Sequence, residues 1–176
     1  RADHARLDAL LALAEAPRCR RVTLLAYFGE DAEPCGNCDL CRAPPRLIDA
    51  TVAAQKALSA ILRTGERFGL EHILAVLRGE ATEKVVARGH DRLPTFGVGQ
   101  EFSKGEWRGV FRQLAARGLV WADPERFGAW RCAEAARAVL KGEETVALRA
   151  DAAPQPRRDR PAPQALVAEE DEALLS

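Results

Sequence analysis

Four of the five cysteines in this chain, Cys19, Cys35, Cys38 and Cys41, fall within its first quarter, and three of them recur at a fixed interval in Cys35-Gly36-Asn37-Cys38-Asp39-Leu40-Cys41. This spacing limits what the N-terminal region can become. Two residues between thiols let a tight turn aim both sulfurs at one ion, and Gly36 and Asn37 tolerate the unusual backbone angles of such a turn. Thiolates are the preferred soft ligands of a closed tetrahedral zinc site. Cys41 supplies a third ligand, and Cys19, on a preceding helix, closes the shell, so the metal would tie a helix to a knuckle. Three other uses of the cysteines stay open: a disulfide, a redox Cys-x-x-Cys and an iron–sulfur cluster. A redox pair needs neither the third thiol nor Cys19, bridges are rare in reducing compartments, and four thiolates also suit a cluster. A four-thiolate zinc shell leaves no open position for water or substrate, so the site is expected to be structural, with no catalytic residue.

Length and charge set the next bounds. The 176 residues suffice for one ordinary domain or two small ones. Twenty-six basic and 26 acidic residues give a net charge of zero, so an argument for nucleic-acid binding must rest on local patches. Acidic residues collect in Glu169-Glu170-Asp171-Glu172. No signal peptide and no apolar stretch of spanning length is visible, so no membrane partner is expected. The start at Arg1 and the lack of methionine suggest a piece of a longer protein.

Periodicity predicts a mostly helical chain with a small β component, an α+β fold. A helix is expected over 3–16, ended by Pro17, and a second over 19–28, stopped by Gly29. Pro44-Pro45 closes a helical zinc-binding subdomain at 1–45. In the next unit, 46–149, Asp49 or Thr51 caps a helix to about residue 64, a second helix spans 70–78, and a helical turn covers 83–87. A third helix, 103–117, is opened by Ser103 and Glu106 as a capping box. Residues 119–121 and 129–132 read as a hairpin around Asp123-Pro124-Glu125-Arg126-Phe127-Gly128. A helix over 134–140 and a short strand over 145–148 follow. Helices followed by a hairpin is the order of a winged helix. Residues 150–176, with scattered prolines and no aromatic residue, read as a disordered linker or tail.

Within that frame, Lys104, Arg108 and Arg112 lie four apart on one face of the third helix, the element that approaches a DNA groove in many winged helices. A solvated polar face is the plainer account. Trp107 and Phe111 share the same interval and are expected in the core, with Trp107 also a candidate for stacking on a base. Arg126 and Phe127 occupy the wing turn, where an exposed ring can stack on a terminal base pair. His90 and Arg92 sit in a loop with Arg88 and Asp91, a candidate backbone contact. Arg20 is a candidate partner for the acidic loop at 30–33, and Cys132 is expected to be a buried small apolar residue.

The runs Cys19-Arg20-Arg21, Tyr27-Phe28-Gly29-Glu30 and Pro34-Cys35-Gly36-Asn37-Cys38-Asp39-Leu40-Cys41 resemble the zinc-binding region of RecQ DNA helicases. The likeness continues through Arg67-Phe68-Gly69, Gly89-His90-Asp91-Arg92-Leu93, Gly118-Leu119-Val120 and Glu134-Ala135-Ala136-Arg137, which look like the winged helix of the bacterial members. The resemblance implies the accessory C-terminal module of a 3′-to-5′ ATP-dependent helicase of recombination and repair. Such a module is a monomer of the bacterial cytoplasm and nucleoid that binds duplex and forked DNA. ATP and Mg2+ would belong to ATPase lobes outside these residues, since no Gly-x-x-x-x-Gly-Lys-Ser/Thr loop occurs here. In bacterial relatives the acidic C-terminal tail of single-stranded-DNA-binding protein docks on a basic pocket of the winged helix, and Arg63, Arg137 and Lys141 match that pocket. A zinc-stabilised scaffold that binds partner tails and not DNA is the competing account.

Overall fold

The computed structural model describes residue 10 and residues 13–150. Of the helix expected at 3–16, residues 10 and 13–15 are helical, while 3–9, 11 and 12 lie outside the described residues. So does the expected linker or tail from residue 151 onward.

The first complete helix, α1 (Arg20–Tyr27), starts where the carbonyl of Cys19 accepts the Thr23 N–H at 3.0 Å and the Thr23 hydroxyl at 3.1 Å. It ends at Phe28, and Gly29 takes the left-handed conformation that a side chain would resist. The helix buries no residue completely; Leu24, Tyr27 and Phe28 remain exposed. A single turn, α2 (Asp39–Arg42), completes the cysteine knuckle and buries Leu40.

The second unit opens with a strand absent from the sequence expectation, β1 (Leu47–Asp49), which pairs antiparallel with β4 (Ala147–Arg149). The pairing joins residues about a hundred positions apart, and three residues carry no readable alternation of their own. The strand's last residue then serves the next element. The Asp49 carboxylate accepts the N–H and hydroxyl of Thr51 at 2.9 and 2.6 Å, and α3 (Thr51–Arg63) begins there. Ala53, Ala54, Ala57, Leu58, Ala60 and Ile61 form its inner face, where the alanines allow close approach. Helix α4 (Leu70–Arg78) is buried from His72 to Leu77 and stops at Gly79, and α5 (Glu83–Ala87) is capped by the Thr82 side chain. After a short turn at His90–Arg92, α6 (Lys104–Ala116) starts with the expected capping box, Ser103 receiving the Glu106 N–H and Glu106 the Ser103 N–H. The hairpin β2 (Val120–Asp123) and β3 (Ala129–Cys132) forms the wing. Helix α7 (Ala136–Lys141) starts two residues later than expected and ends at Gly142.

The core joins α3, α4, α6, α7 and the β1–β4 pair. Trp107, Phe111, Leu58, Ile61, Ile73, Leu74, Leu77 and Leu114 are among its fully buried side chains. Each such aliphatic or aromatic group contributes roughly 1.5–3 kcal/mol relative to exposure. A buried glutamine links helix to sheet: Gln113 accepts the Arg149 N–H at 2.7 Å and donates to the Arg149 carbonyl at 3.1 Å. The knuckle region meets this unit through Arg112 on Glu15 and through the Arg149 guanidinium on the Ala14 carbonyl. The result is an α+β chain, a cysteine knuckle followed by a winged helix.

Candidate metal centre and nucleic-acid interface

The four knuckle cysteines converge. Their sulfurs all lie within 4.8 Å of one another, with Cys19 to Cys35 at 3.6 Å and Cys19 to Cys38 at 3.9 Å. Sulfurs at about 2.3 Å from a tetrahedral zinc stand about 3.8 Å apart, so the donor set fits one ion. A multi-iron cluster, with one thiolate per iron corner, spreads its ligands farther. Local folding explains the convergence. Gly36 sits at φ 71°, turning the chain so that the Cys38 N–H points at the Cys35 sulfur, 3.4 Å away. The Cys35 N–H points at the Cys19 sulfur at 3.3 Å, and that backbone donor is the largest influence holding the Cys19 thiol down to about 6. Burial pushes the Cys41 thiol up to about 12. Metal binding would resolve this division by displacing the remaining protons. Arg20 locks the arrangement, donating to both oxygens of Asp39 at 2.7 Å and to the Leu13 carbonyl at 2.8 Å. Its partner is therefore Asp39 and not the loop at 30–33. Those hydrogen bonds keep the Asp39 carboxyl below its ordinary range.

Cys132 lies partly buried against the main core, away from the knuckle, and burial raises its thiol to about 12. It is an unreactive packing residue.

On α6 the three cations do line one face, and each has a carboxylate. Lys104 meets Glu80 at 2.7 Å, Arg108 meets Glu71 at 2.7 Å, and Arg112 meets Glu15 at 2.5 Å. A bare solvated stripe is thus not what the fold builds; two of the acids come from α4 and the loop after it. Below Arg108 and Arg112 lies an apolar groove of about 370 Å³, lined by Leu70, Phe111, Ala115 and Trp130.

Trp107 requires a correction. Its side chain is 0% exposed, edge-on to Phe102 and Phe111, and its indole N–H donates to the Gly99 carbonyl at 2.7 Å. A ring enclosed on all sides cannot stack on a base. The reason is helical phase: one step around the helix separates the Arg108 face from the core face.

His90 is half-buried and Arg92 exposed. The His90 Nδ1 lies 2.7 Å from Nε2 of His72, a residue with no sequence signal, and His72 stacks on Phe68 at 4.1 Å. Burial, then the nearby His90, Lys84 and Arg88, lower His72 to about 4; burial and Arg88 also lower His90. At the wing, Arg126 is exposed 3.9 Å from Asp123, and Phe127 is fully exposed at φ 54°, a conformation that disfavours a side chain. Arg63, Arg137 and Lys141 are all exposed. Arg63 ends α3, and α7, which carries the other two, packs on α3 through the Gln55 bond to the Val139 carbonyl. Arg137 also pairs with Glu134 at 3.1 Å and Lys141 with Glu143 at 3.8 Å.

Comparison with known proteins agrees with both halves. Residues 1–42 match the RecQ zinc-binding family and residues 44–157 match the RQC domain family. Over 145 residues, 81% of its length, the chain is 42% identical to the ATP-dependent DNA helicase RecQ of Haemophilus influenzae and 40% identical to that of Pasteurella multocida. It is 34% identical over 130 residues to the helicase of the same name from Bacillus subtilis. The chain spans about 23% of the length of the first two relatives. A four-sulfur knuckle and a winged helix in this order, with these matches, place the chain in the RecQ family, as its C-terminal zinc-binding and RQC region.

Proposed function

We propose that this region is the DNA-positioning module of a RecQ-type 3′-to-5′ helicase, acting at forks and junctions in recombination and repair. The observation that carries the reading is the basic stripe of α6 on one side of the winged helix combined with the fully exposed Phe127 at the wing tip. Lys104, Arg108 and Arg112 hold phosphates of the duplex, exchanging their carboxylates for DNA at little cost, because exposed ion pairs contribute only about 0–1 kcal/mol each. His90 and Arg92 add a backbone contact from the loop before α6. Arg126 and Phe127 meet the fork, with Phe127 stacking on the terminal base pair. A single structural zinc on Cys19, Cys35, Cys38 and Cys41 braces the knuckle. ATP and Mg2+ act in motor lobes outside these residues. The boundary between the two units falls near Pro44-Pro45, and the module works as a monomer in the bacterial cytoplasm and nucleoid. Among the described residues no helix is long and apolar enough to cross a membrane.

The test is a forked oligonucleotide titrated across a salt series. Binding weakens steeply with salt, and Arg108→Ala weakens it further while reducing the salt slope by about 1. Salt-independent binding, or an unchanged slope in the variant, removes the duplex contact from α6. In the intact helicase, Phe127→Ala lowers unwinding and leaves ATP turnover as it was; unaltered unwinding removes the wedge.

A second surface is supported by the three exposed cations Arg63, Arg137 and Lys141 on adjoining helices. They suit the acidic tail of single-stranded-DNA-binding protein, whose carboxylates replace Glu134 and Glu143. Arg137→Glu abolishes binding of such a peptide if this assignment holds.

A further inference from the structure

The wing has an outer face with its own chemistry. In the β2–β3 register, Trp121 stands directly opposite Arg131, and Val120 opposite Cys132. Strand alternation sends these two pairs to opposite faces. Val120, Trp130 and Cys132 pack on the core, and Trp121 and Arg131 face away from it. Trp121 is 42% exposed, in a protein whose Trp107 is sealed in the core and whose Trp130 rests edge-on against Phe111. The Arg131 guanidinium lies over the Trp121 ring, 5.4 Å from its centroid. Asp123, almost completely buried, orients the cations: its carboxylate takes Arg131 at 3.4 Å and Arg126 at 3.9 Å, and it accepts the Glu125 N–H at 3.0 Å. Both guanidiniums flank this one carboxylate and remain partly exposed, while Glu125 in the same turn brings the hairpin's formal charge to zero. Phe127 stands at the tip of the same hairpin.

We propose that this outer face binds unpaired DNA, with bases stacking on Trp121 and Phe127 and phosphates meeting Arg126 and Arg131. Flat exposed rings beside tethered guanidiniums are the recurring form of a single-strand platform, because every base offers a π-face whatever its identity. The interior of a duplex cannot use it, since its bases already cover one another's faces; only the end pair, which Phe127 meets at the fork, offers a free one. Trp121 is not among the side chains packed against the core, and its ring carries the Arg131 guanidinium. The inference rests on the proposed DNA-binding role of the module and assigns to the wing's flank the strand that leaves the fork.

The indole itself reports the contact, as the other two tryptophans are sheltered. Titrating the zinc-loaded chain with oligo(dT) quenches tryptophan emission, and Trp121→Phe loses that quenching while circular dichroism shows the fold retained. Trp121→Ala lowers oligo(dT) affinity by about 5- to 150-fold, the equivalent of stacking one base. Absence of quenching, or unaltered oligo(dT) affinity in Trp121→Ala, overturns the inference even if blunt duplex still binds in a salt-dependent way. Quenching by an acidic peptide and not by oligo(dT) overturns it in favour of a protein partner. If oligo(dT) quenches Trp121 and blunt duplex fails to bind, the platform stands and the duplex role of α6 falls.

Discussion

Trp107 separates a packing account of α6 from a DNA-stacking one, and the structure gives the size of the effect. Its indole is fully enclosed, contacts the Phe102 and Phe111 rings at 5.2 and 6.4 Å between centroids, and donates to the Gly99 carbonyl at 2.7 Å. The loop is seated directly on it: a Cβ on Gly99 would lie 2.5 Å from the ring. Trp107→Ala therefore removes a large buried side chain, which costs about 3–5 kcal/mol. Against the usual stability of a small domain, about 5–15 kcal/mol, that is a large fraction. Trp107→Phe is the more discriminating change. It keeps most of the ring volume but removes the indole donor, leaving the Gly99 carbonyl only the longer bond from the Phe102 N–H at 3.4 Å, for a loss of about 0.5–1.5 kcal/mol. For a domain of this size each kcal/mol moves Tm by about 4–8 °C. Urea unfolding followed by circular dichroism, with forked-DNA affinity measured on the same preparation, reads both quantities. The expected result is a destabilised Trp107→Phe protein with affinity retained under conditions where it is folded. A variant as stable as wild type but weaker on DNA would refute the enclosed-ring account.

Chelation of a zinc-loaded sample, or Cys19→Ser, unfolds the knuckle and frees Arg20 and Asp39, lowering helix content while the winged-helix transition persists; a chelated protein with an unaltered spectrum would contradict this. His72 gives a pH signature. It is held neutral down to about 4, against an ordinary 6.5 in the unfolded chain. Between those values the unfolded state binds more protons, so stability falls as pH drops from about 6.5 to about 4 and the loss saturates below that. His72→Gln loses less stability over this interval than wild type, measured by denaturant midpoints at each pH; parallel curves would refute it. Ser103→Ala removes the hydroxyl that receives the Glu106 N–H at 3.2 Å and lowers stability by about 1 kcal/mol, read from the same unfolding assay.

What the amino-acid order alone determined is local. The cluster of Cys19, Cys35, Cys38 and Cys41, the capping pair Ser103 and Glu106, the helix over 70–78 and the hairpin turn at 123–128 depend on residues within a few positions, or on a spacing rule, and they were legible for that reason. Arg108 and Trp107 are adjacent in sequence, and periodicity could name both as candidates for DNA. Packing decided that one is sealed and the other surfaces. The same holds for the counter-charges. Glu71 lies 37 positions from Arg108 and Glu15 lies 97 from Arg112, separations at which a sequence carries no pairing signal. β1 exists only because β4 reaches it from the far end of the domain, and the His72–His90 contact only because α4 passes beneath the loop. Short-range geometry is written in spacing. Burial and long-range charge pairing are set by the closing of the core, because they depend on which distant surfaces meet.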